Sequence, residues 1–361
     1  MAPLYESVPP RCYGGTERIV SYLTEEFVGA GHDVTLFASG DSRTRARLVP
    51  GCPRALRLTG YASALALHLA MVEQVAQRAR AFDLIHFHVD YLHFPVSLRE
   101  NYCHVTTLHG RLDLRELVPV FSRFADMPVI SISDAQREPL PALAWQGTVY
   151  HGFPRDLYHL EPTPGDYLAF LGRISPEKRL DRAIEIAGRA GYRLRVAAKI
   201  DPTEQDYYTE HIAPLMQQPH VEYLGEIGEH EKQELLGGAL ALLFPIDWPE
   251  PFGMVMVESM ACGTPVIAYR GGSVGEVIDD GVTGFICDEL DQAVAAVARV
   301  HELSRATCRR RFEQRFTAAR MAGDYLSIYR RLLEHREHRH EARDPTDARG
   351  LLHPRDQHAR G

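Results

Sequence analysis

No apolar run in this chain of 361 residues approaches the roughly 20 that a helix needs to cross a bilayer. Met1 is followed at once by Ala2-Pro3 and polar residues, so no signal peptide is expected. Positive charge is in short supply, with 40 Lys and Arg against 48 Asp and Glu and a formal charge of −8. An acidic chain has no basic surface with which to displace the counterions of a phosphate backbone, which argues against nucleic acid as a partner. The cysteines at 12, 52, 103, 262, 287 and 308 include no C-x-x-C pair. Neither zinc nor a disulfide framework is therefore expected, and a reducing cytosol is. Nor does any G-x-G-x-x-G follow a first strand, which removes the signature of a nicotinamide-dependent dehydrogenase.

What remains is ordinary in composition, 45% apolar and 24% charged, and long enough for two domains. Strand and helix patterns alternate throughout. Strand-like runs at 34–39, 83–88, 105–108, 129–133 and 148–151 imply one Rossmann-like domain over 1–157. The prolines at 162 and 164 mark a linker. A second alternation (167–171, 194–198, 221–224, 239–245, 265–269 and 284–287) implies another such domain over 158–317. An amphipathic helix is expected over 318–334. From 335 to 361 the chain is His-, Arg- and Asp-rich with little to bury, and reads as a disordered tail whose five histidines are solvated. One anomaly stands at the start. The helix 17–30 needs a strand before it to complete a β-α-β unit, yet of that strand only Met1-Ala2-Pro3 remain, as though the chain began downstream of its true start.

The stretch 242–268 organises the rest. An apolar run ends at Pro245, a loop with Pro249 and Pro251 follows, and helix formers from Met254 stop at Gly263. This is strand–loop–helix, with the loop at the carboxyl end of a strand, where open α/β sheets bind ligands. Phe252-Gly253-Met254 would offer free N–H groups to an anion at the helix start. Glu250 in the loop and Glu258 one turn inside the helix would add two carboxylates, the second suited to vicinal hydroxyls. Upstream, Gly172-Arg173 closes the strand 167–171, and Lys178 follows. A planar guanidinium and a mobile ammonium at a strand end suit a diphosphate. Taken singly, each of these residues is more often plain surface charge.

Together they are not single. The string E-P-F-G-x4-E over 250–258, then A-C-G-T-P-V-I-A, resembles the signature of retaining glycosyltransferases with the two-Rossmann-domain GT-B fold, family 4 (group 1). The resemblance implies two α/β domains facing each other across a cleft, with the last helix crossing back to the first domain. It implies a donor, a nucleotide diphosphate sugar with UDP-glucose as first choice, lying on the second domain. Glu258 would hold the ribose, Arg173 and Lys178 the diphosphate, and Glu250 with Phe252, Gly253, Met254 and Val255 the sugar. His109, at the end of 105–108, would line the sugar pocket. Gly14 and Gly15, in the string Y-G-G-T-E-R, would form a glycine-rich loop facing the cleft. One departure is Arg179, where relatives often carry glycine.

Nowhere does the chain contain D-x-D, the metal–diphosphate clamp of the other glycosyltransferase fold. Metal-independent chemistry without a cofactor is therefore expected. The acceptor, bearing a hydroxyl, is left open among small molecules, glycolipids and polysaccharide. A GT-B nucleotide-sugar 2-epimerase is the alternative function. His86 and His88 share a strand face as a metal pair would, but with no third ligand they read better as structural. Arginines 43, 45, 47, 54 and 57 could meet an anionic acceptor or a membrane surface, which leaves peripheral membrane association open; a solvated loop is the simpler reading.

Overall fold

The chain folds as two parallel α/β units and one returning helix. The computed structural model describes residues 1–11, 14–59, 61, 63–100 and 102–341, with side chains as far as 338. In the first unit β1 (Thr35–Ser39) pairs in parallel with β2 (Arg47–Cys52). A second parallel sheet runs β3 (Ile85–Phe87), β4 (His104–Thr107), β5 (Val129–Ser131) and β6 (Trp145–Thr148). Met1 and Ala2 lie between the two sheets. The Ala2 N–H donates to the Phe37 carbonyl at 2.9 Å, and the His88 N–H donates to the Met1 carbonyl at 3.0 Å. The place of the central strand, expected to be lost, is thus held by a short segment joined to both neighbours. β2 is a second difference, since its arginine was read as part of a loop. Pro50 has no N–H to offer, and it is tolerated because β2 is an edge.

The second unit is one continuous sheet in the order β12-β11-β10-β7-β8-β9, all parallel. Its strands are β7 (Tyr167–Ile174), β8 (Arg193–Ile200), β9 (Val221–Gly225), β10 (Ala241–Phe244), β11 (Val266–Tyr269) and β12 (Gly284–Cys287). Every residue of β10 and β11 is buried, as the unbroken apolar runs require of strands covered on both faces. Helices Leu180–Ala190 and Leu290–Arg299 bring Leu180, Ile184, Ala293 and Val297 to one face. Helices Glu229–Gly237, Met254–Ala261 and Arg305–Arg315 bring Leu236, Val257 and Phe312 to the other. Each such aliphatic or aromatic side chain withdrawn from water contributes about 1.5–3 kcal/mol.

The chain crosses between the units twice, at one place. Phe153 donates its N–H to the Phe316 carbonyl at 2.9 Å, and its own carbonyl accepts from the Ala318 N–H at 2.7 Å. Gly152 permits the approach, because a Cβ there would meet the Thr317 carbonyl oxygen at 2.2 Å. The last helix, Ala318–Glu341, then lies on the first domain. Met321, Tyr325 and Ile328 share a core with Ile19, Leu23 and Phe27 of the helix Gly15–Gly29. Residues 335–341, expected in a disordered tail, are helical. A helix already docked by its first turns extends through Glu and Arg, which favour helix and need no core. Residues 342–361 lie outside the described residues. Among the described residues, no helix is long and apolar enough to cross a membrane.

Candidate active site

A cleft of about 770 Å³ opens between the two units, where the strands present their carboxyl ends. It brings together all the residues singled out from sequence: Glu250, His109, Arg173, Lys178, Gly14, Gly15, Phe252, Gly253, Met254, Val255 and Glu258. Cys12 and Tyr13, the residues before that glycine pair, lie outside the described residues.

The second domain builds one wall from a few consecutive pieces. Gly253 takes a left-handed backbone, φ 76°, which starts the helix Met254–Ala261 abruptly after the proline loop. The first N–H groups of that helix have no carbonyl within it, and Gly253, Met254 and Val255 line the cleft. Glu258 sits in its second turn and is buried. Its carboxylate accepts from Lys232 Nζ at 2.9 Å and from the Tyr158 hydroxyl at 3.1 Å. Lys232 also reaches Glu229 at 3.0 Å, and Glu229 pairs with Arg18 of the first domain at 2.7 Å. Burial works against the Lys232 ammonium, yet Glu258 and Glu229 outweigh it and raise its pKa.

Glu250 is the second buried carboxylate of this wall. It pairs with Lys178 and accepts from Trp248 Nε1 at 2.9 Å. The Lys178 ammonium lies 4.8 Å from the centre of the Trp248 ring, close enough for a cation–π contact. Arg173 contacts Glu177 at 3.1 Å, while its Nε is buried without a partner. Arg179 explains the glycine that the resemblance leads one to expect: its backbone is left-handed, φ 53°. Arg179 is held there by Asp181 at 2.9 Å and Asp247 at 2.8 Å. Glycine takes that shape without help.

The first domain builds the opposite wall from strand ends far apart in sequence. A row of histidines runs inward from it. His88 Nδ1 meets His109 Nε2 at 2.9 Å, and His109 stacks on His151 at 5.2 Å between ring centres. His86 lies 4.0 Å from His88, ring to ring, and is tied to Thr107 at 2.8 Å and to the Tyr329 hydroxyl at 2.6 Å. Burial holds these rings neutral: it lowers the pKa of His109 to about 3, and those of His86, His88 and His151 well below the ordinary value. Among the described residues no three His, Cys, Asp or Glu are placed to hold a metal. Of the arginine cluster, Arg45 pairs with Glu25 and Arg57 with Glu6, and Arg57 lines the cleft.

Sequence reasoning missed Lys232, Trp248, His151, Asp90 and Arg18 as cleft residues, and Tyr158 as the buried partner of Glu258. Only Trp248, two residues before Glu250, and Arg18, inside Y-G-G-T-E-R, stood next to a recognised string. Asp90 closes an H-x-H-x-D run over 86–90, while Lys232 and His151 reach the cleft through folding alone.

Two family models match the chain: "Glycosyl transferases group 1" over residues 159–316 and "Glycosyltransferase Family 4" over residues 13–143. Alpha-maltose-1-phosphate synthase of Mycolicibacterium smegmatis is 25% identical over 390 residues, covering 92% of this chain and 99% of that protein. Glycogen synthase of Mycobacterium tuberculosis H37Rv is 31% identical over 136 residues, 36% of this chain and only 32% of that one. Among solved structures, sucrose-phosphate synthase from Thermosynechococcus elongatus superposes with a TM-score of 0.72 at 19% identity, covering 89% of this chain and 94% of that one. HepE from Anabaena, in complex with UDP-glucose, superposes at 0.67 and 20% identity, with 91% and 96% covered. These neighbours share the GT-B fold described above. With one family model on each domain, the chain belongs to the group 1 glycosyltransferases.

Proposed function

We propose that this chain moves a hexose from a nucleoside diphosphate sugar, UDP-glucose first, to a hydroxyl acceptor, with retention at the anomeric carbon. The observation that carries the reading is the convergence of Glu250, Glu258, Arg173 and Lys178 on one interdomain cleft. HepE, which shares the fold, holds UDP-glucose.

In this reading Glu258 takes the ribose hydroxyls, exchanging its bond to Tyr158 for them. Arg173, with a buried Nε to spare, and Lys178 take the diphosphate. The N–H groups at the start of the helix Met254–Ala261 and Glu250 take the sugar. Gly14 and Gly15 let the backbone of the first domain come close to the donor. The acceptor oxygen bonds to the anomeric carbon as the bond from that carbon to the phosphate oxygen breaks. The electron pair leaves with the diphosphate, and the acceptor proton passes to the departing phosphate oxygen. Fixed positive charge at that oxygen, with no reorganisation at the moment of reaction, supplies the main acceleration. Lys178 and Arg173 thereby do what a divalent cation does elsewhere. A neutral His109 lines the sugar's side without adding a charge that would compete for the phosphate.

The test is UDP release from labelled UDP-glucose, with the product's anomeric configuration read by NMR. Release with retained configuration is expected, and Glu250→Gln and Arg173→Ala should each lower turnover. Full turnover in both variants would show that the site lies elsewhere.

A further inference from the structure

Asp90 stands apart from the other carboxylates of the cleft. It lies just past the carboxyl end of β3, two residues after His88, and lines the first-domain wall. Its backbone is left-handed, φ 49°, and Arg179 is the other non-glycine residue of positive φ among those described. A side chain held in that region signals a functional constraint when the surroundings enforce it. Its charge is also unbalanced. Glu250 has Lys178, Glu258 has Lys232, and Glu17 accepts the backbone N–H of Glu6 at 3.3 Å. Among the described residues, no Lys, Arg or His forms an ion pair with Asp90. Although it is open to the cleft, the protein around it raises its pKa to about 6, opposed only by the backbone N–H of His109. The neighbouring polar atom His109 Nδ1 is buried without a partner.

A carboxylate without a counter-ion, on the wall across from the donor residues, is matched by hydroxyl donors and not by anions. Its two oxygens suit a pair of neighbouring hydroxyls. We infer that Asp90 binds the acceptor through vicinal hydroxyls, and that the acceptor is a polyol carrying no negative charge where it meets Asp90. The inference rests on the sugar-transfer reading and names the other substrate of the same site. Asp90 leaves the reacting hydroxyl free to face the donor; its part is to place that hydroxyl.

The experiment measures UDP release from UDP-glucose with D-glucose, D-mannose, D-galactose and myo-inositol, each beside its monophosphate. Wild type is expected to be accelerated most by one of the uncharged polyols. Asp90→Asn keeps the shape and accepts the left-handed backbone, and UDP affinity by calorimetry checks its fold. Loss of the charge-assisted bonds should raise the KM of that polyol about 10- to 100-fold, with a smaller change in kcat. An unchanged KM, or a wild-type preference for a monophosphate, overturns the assignment while sugar transfer stands. A wild type that neither binds UDP nor releases it from UDP-glucose overturns both.

Discussion

The two walls of the cleft reach the same place by opposite routes. The second-domain wall comes from one continuous six-stranded sheet, and most of its side chains lie in residues 172–179 and 248–258. Its charges are paired at short range, as Lys178–Glu250 and Lys232–Glu258. The first-domain wall is gathered from residues near 15, 57, 90, 109 and 151, around sheets joined through Met1-Ala2. Beside the paired Arg18, Arg57 and Arg111, it carries a row of neutral imidazoles and the carboxylate of Asp90. A wall made of charge pairs suits a donor that is itself charged. A stretch of neutral imidazoles beside a lone carboxylate suits hydroxyls. On this comparison, damage to the donor wall should abolish turnover, while damage to the other should shift stability and acceptor affinity.

The largest effect should follow Lys178→Met, which removes the cation and leaves Glu250 buried without its partner. Loss of one preorganised charge at a leaving group costs about 100- to 1,000-fold in kcat. UDP release under saturating UDP-glucose checks it. A loss below tenfold would mean that Lys178 serves structure alone, and the contrast between the walls would weaken.

Gly253→Ala tests the same wall by shape. The backbone φ of 76° is strained for alanine, and its Cβ would meet Met256 Cε at 2.4 Å and Phe244 Cζ at 3.3 Å. Strain of this kind costs about 1–3 kcal/mol. The expected outcome is a lower Tm together with weaker UDP binding, because the displaced element is the start of the helix Met254–Ala261. A normal UDP affinity in a destabilised variant would separate that helix start from donor binding.

The contrast also explains what could be read from the sequence. E-P-F-G-x4-E and G-R-x4-K were legible because each wall piece is local: a strand end, a loop and one helical turn fix side chains within a few residues of one another. Glu258 falls one turn inside its helix because a 3.6-residue period puts it there. The alternation of apolar runs placed the strands of both domains, β2 apart, to within a few residues. β2 was missed because Pro50 and Gly51 deny it a strand's composition, and only its neighbour β1 makes it one. His151 and Asp90 were illegible for a related reason. Their roles come from what lies beside them, His109 in both cases, and that partner stands on another strand's end. Even so, the H-x-H-x-D run over 86–90 offered a signal, since it puts three polar groups at a strand's carboxyl end, where ligands bind.

For the first-domain wall the sharpest prediction concerns acid. In the unfolded chain these histidines take up a proton near 6.5; in the fold, burial delays it to about 3 for His109 and well below the ordinary value for His86, His88 and His151. Between those limits the unfolded state binds more protons, so stability falls as the pH drops. At one pH unit below 6.5, each such ring contributes a loss of about 1.4 kcal/mol. Thermal unfolding should therefore show a Tm lower at pH 5.5 than at pH 7.5. His109→Gln should flatten the dependence. A Tm that is level across that range would mean the row is not neutral in the fold.

The smallest effect belongs to the contact that joins the two walls. Arg18, near the start of the helix Gly15–Gly29, pairs with Glu229 at 2.7 Å, with side-chain exposures of 7% and 30%. Glu229 in turn touches Lys232 and Tyr158, which hold Glu258. A pair with one partner half in water falls between a surface ion pair, worth about 0–1 kcal/mol, and a buried one. A double-mutant cycle of Arg18→Ala and Glu229→Ala, read in UDP affinity at low and high salt, should give a coupling of about 1 kcal/mol that shrinks as salt is added. The Arg18 variant alone should lose less than tenfold in UDP affinity, because Lys232 still holds Glu258 in place. A coupling of zero at low salt would leave the donor wall independent of the first domain, and the two walls would then meet only through the substrates between them.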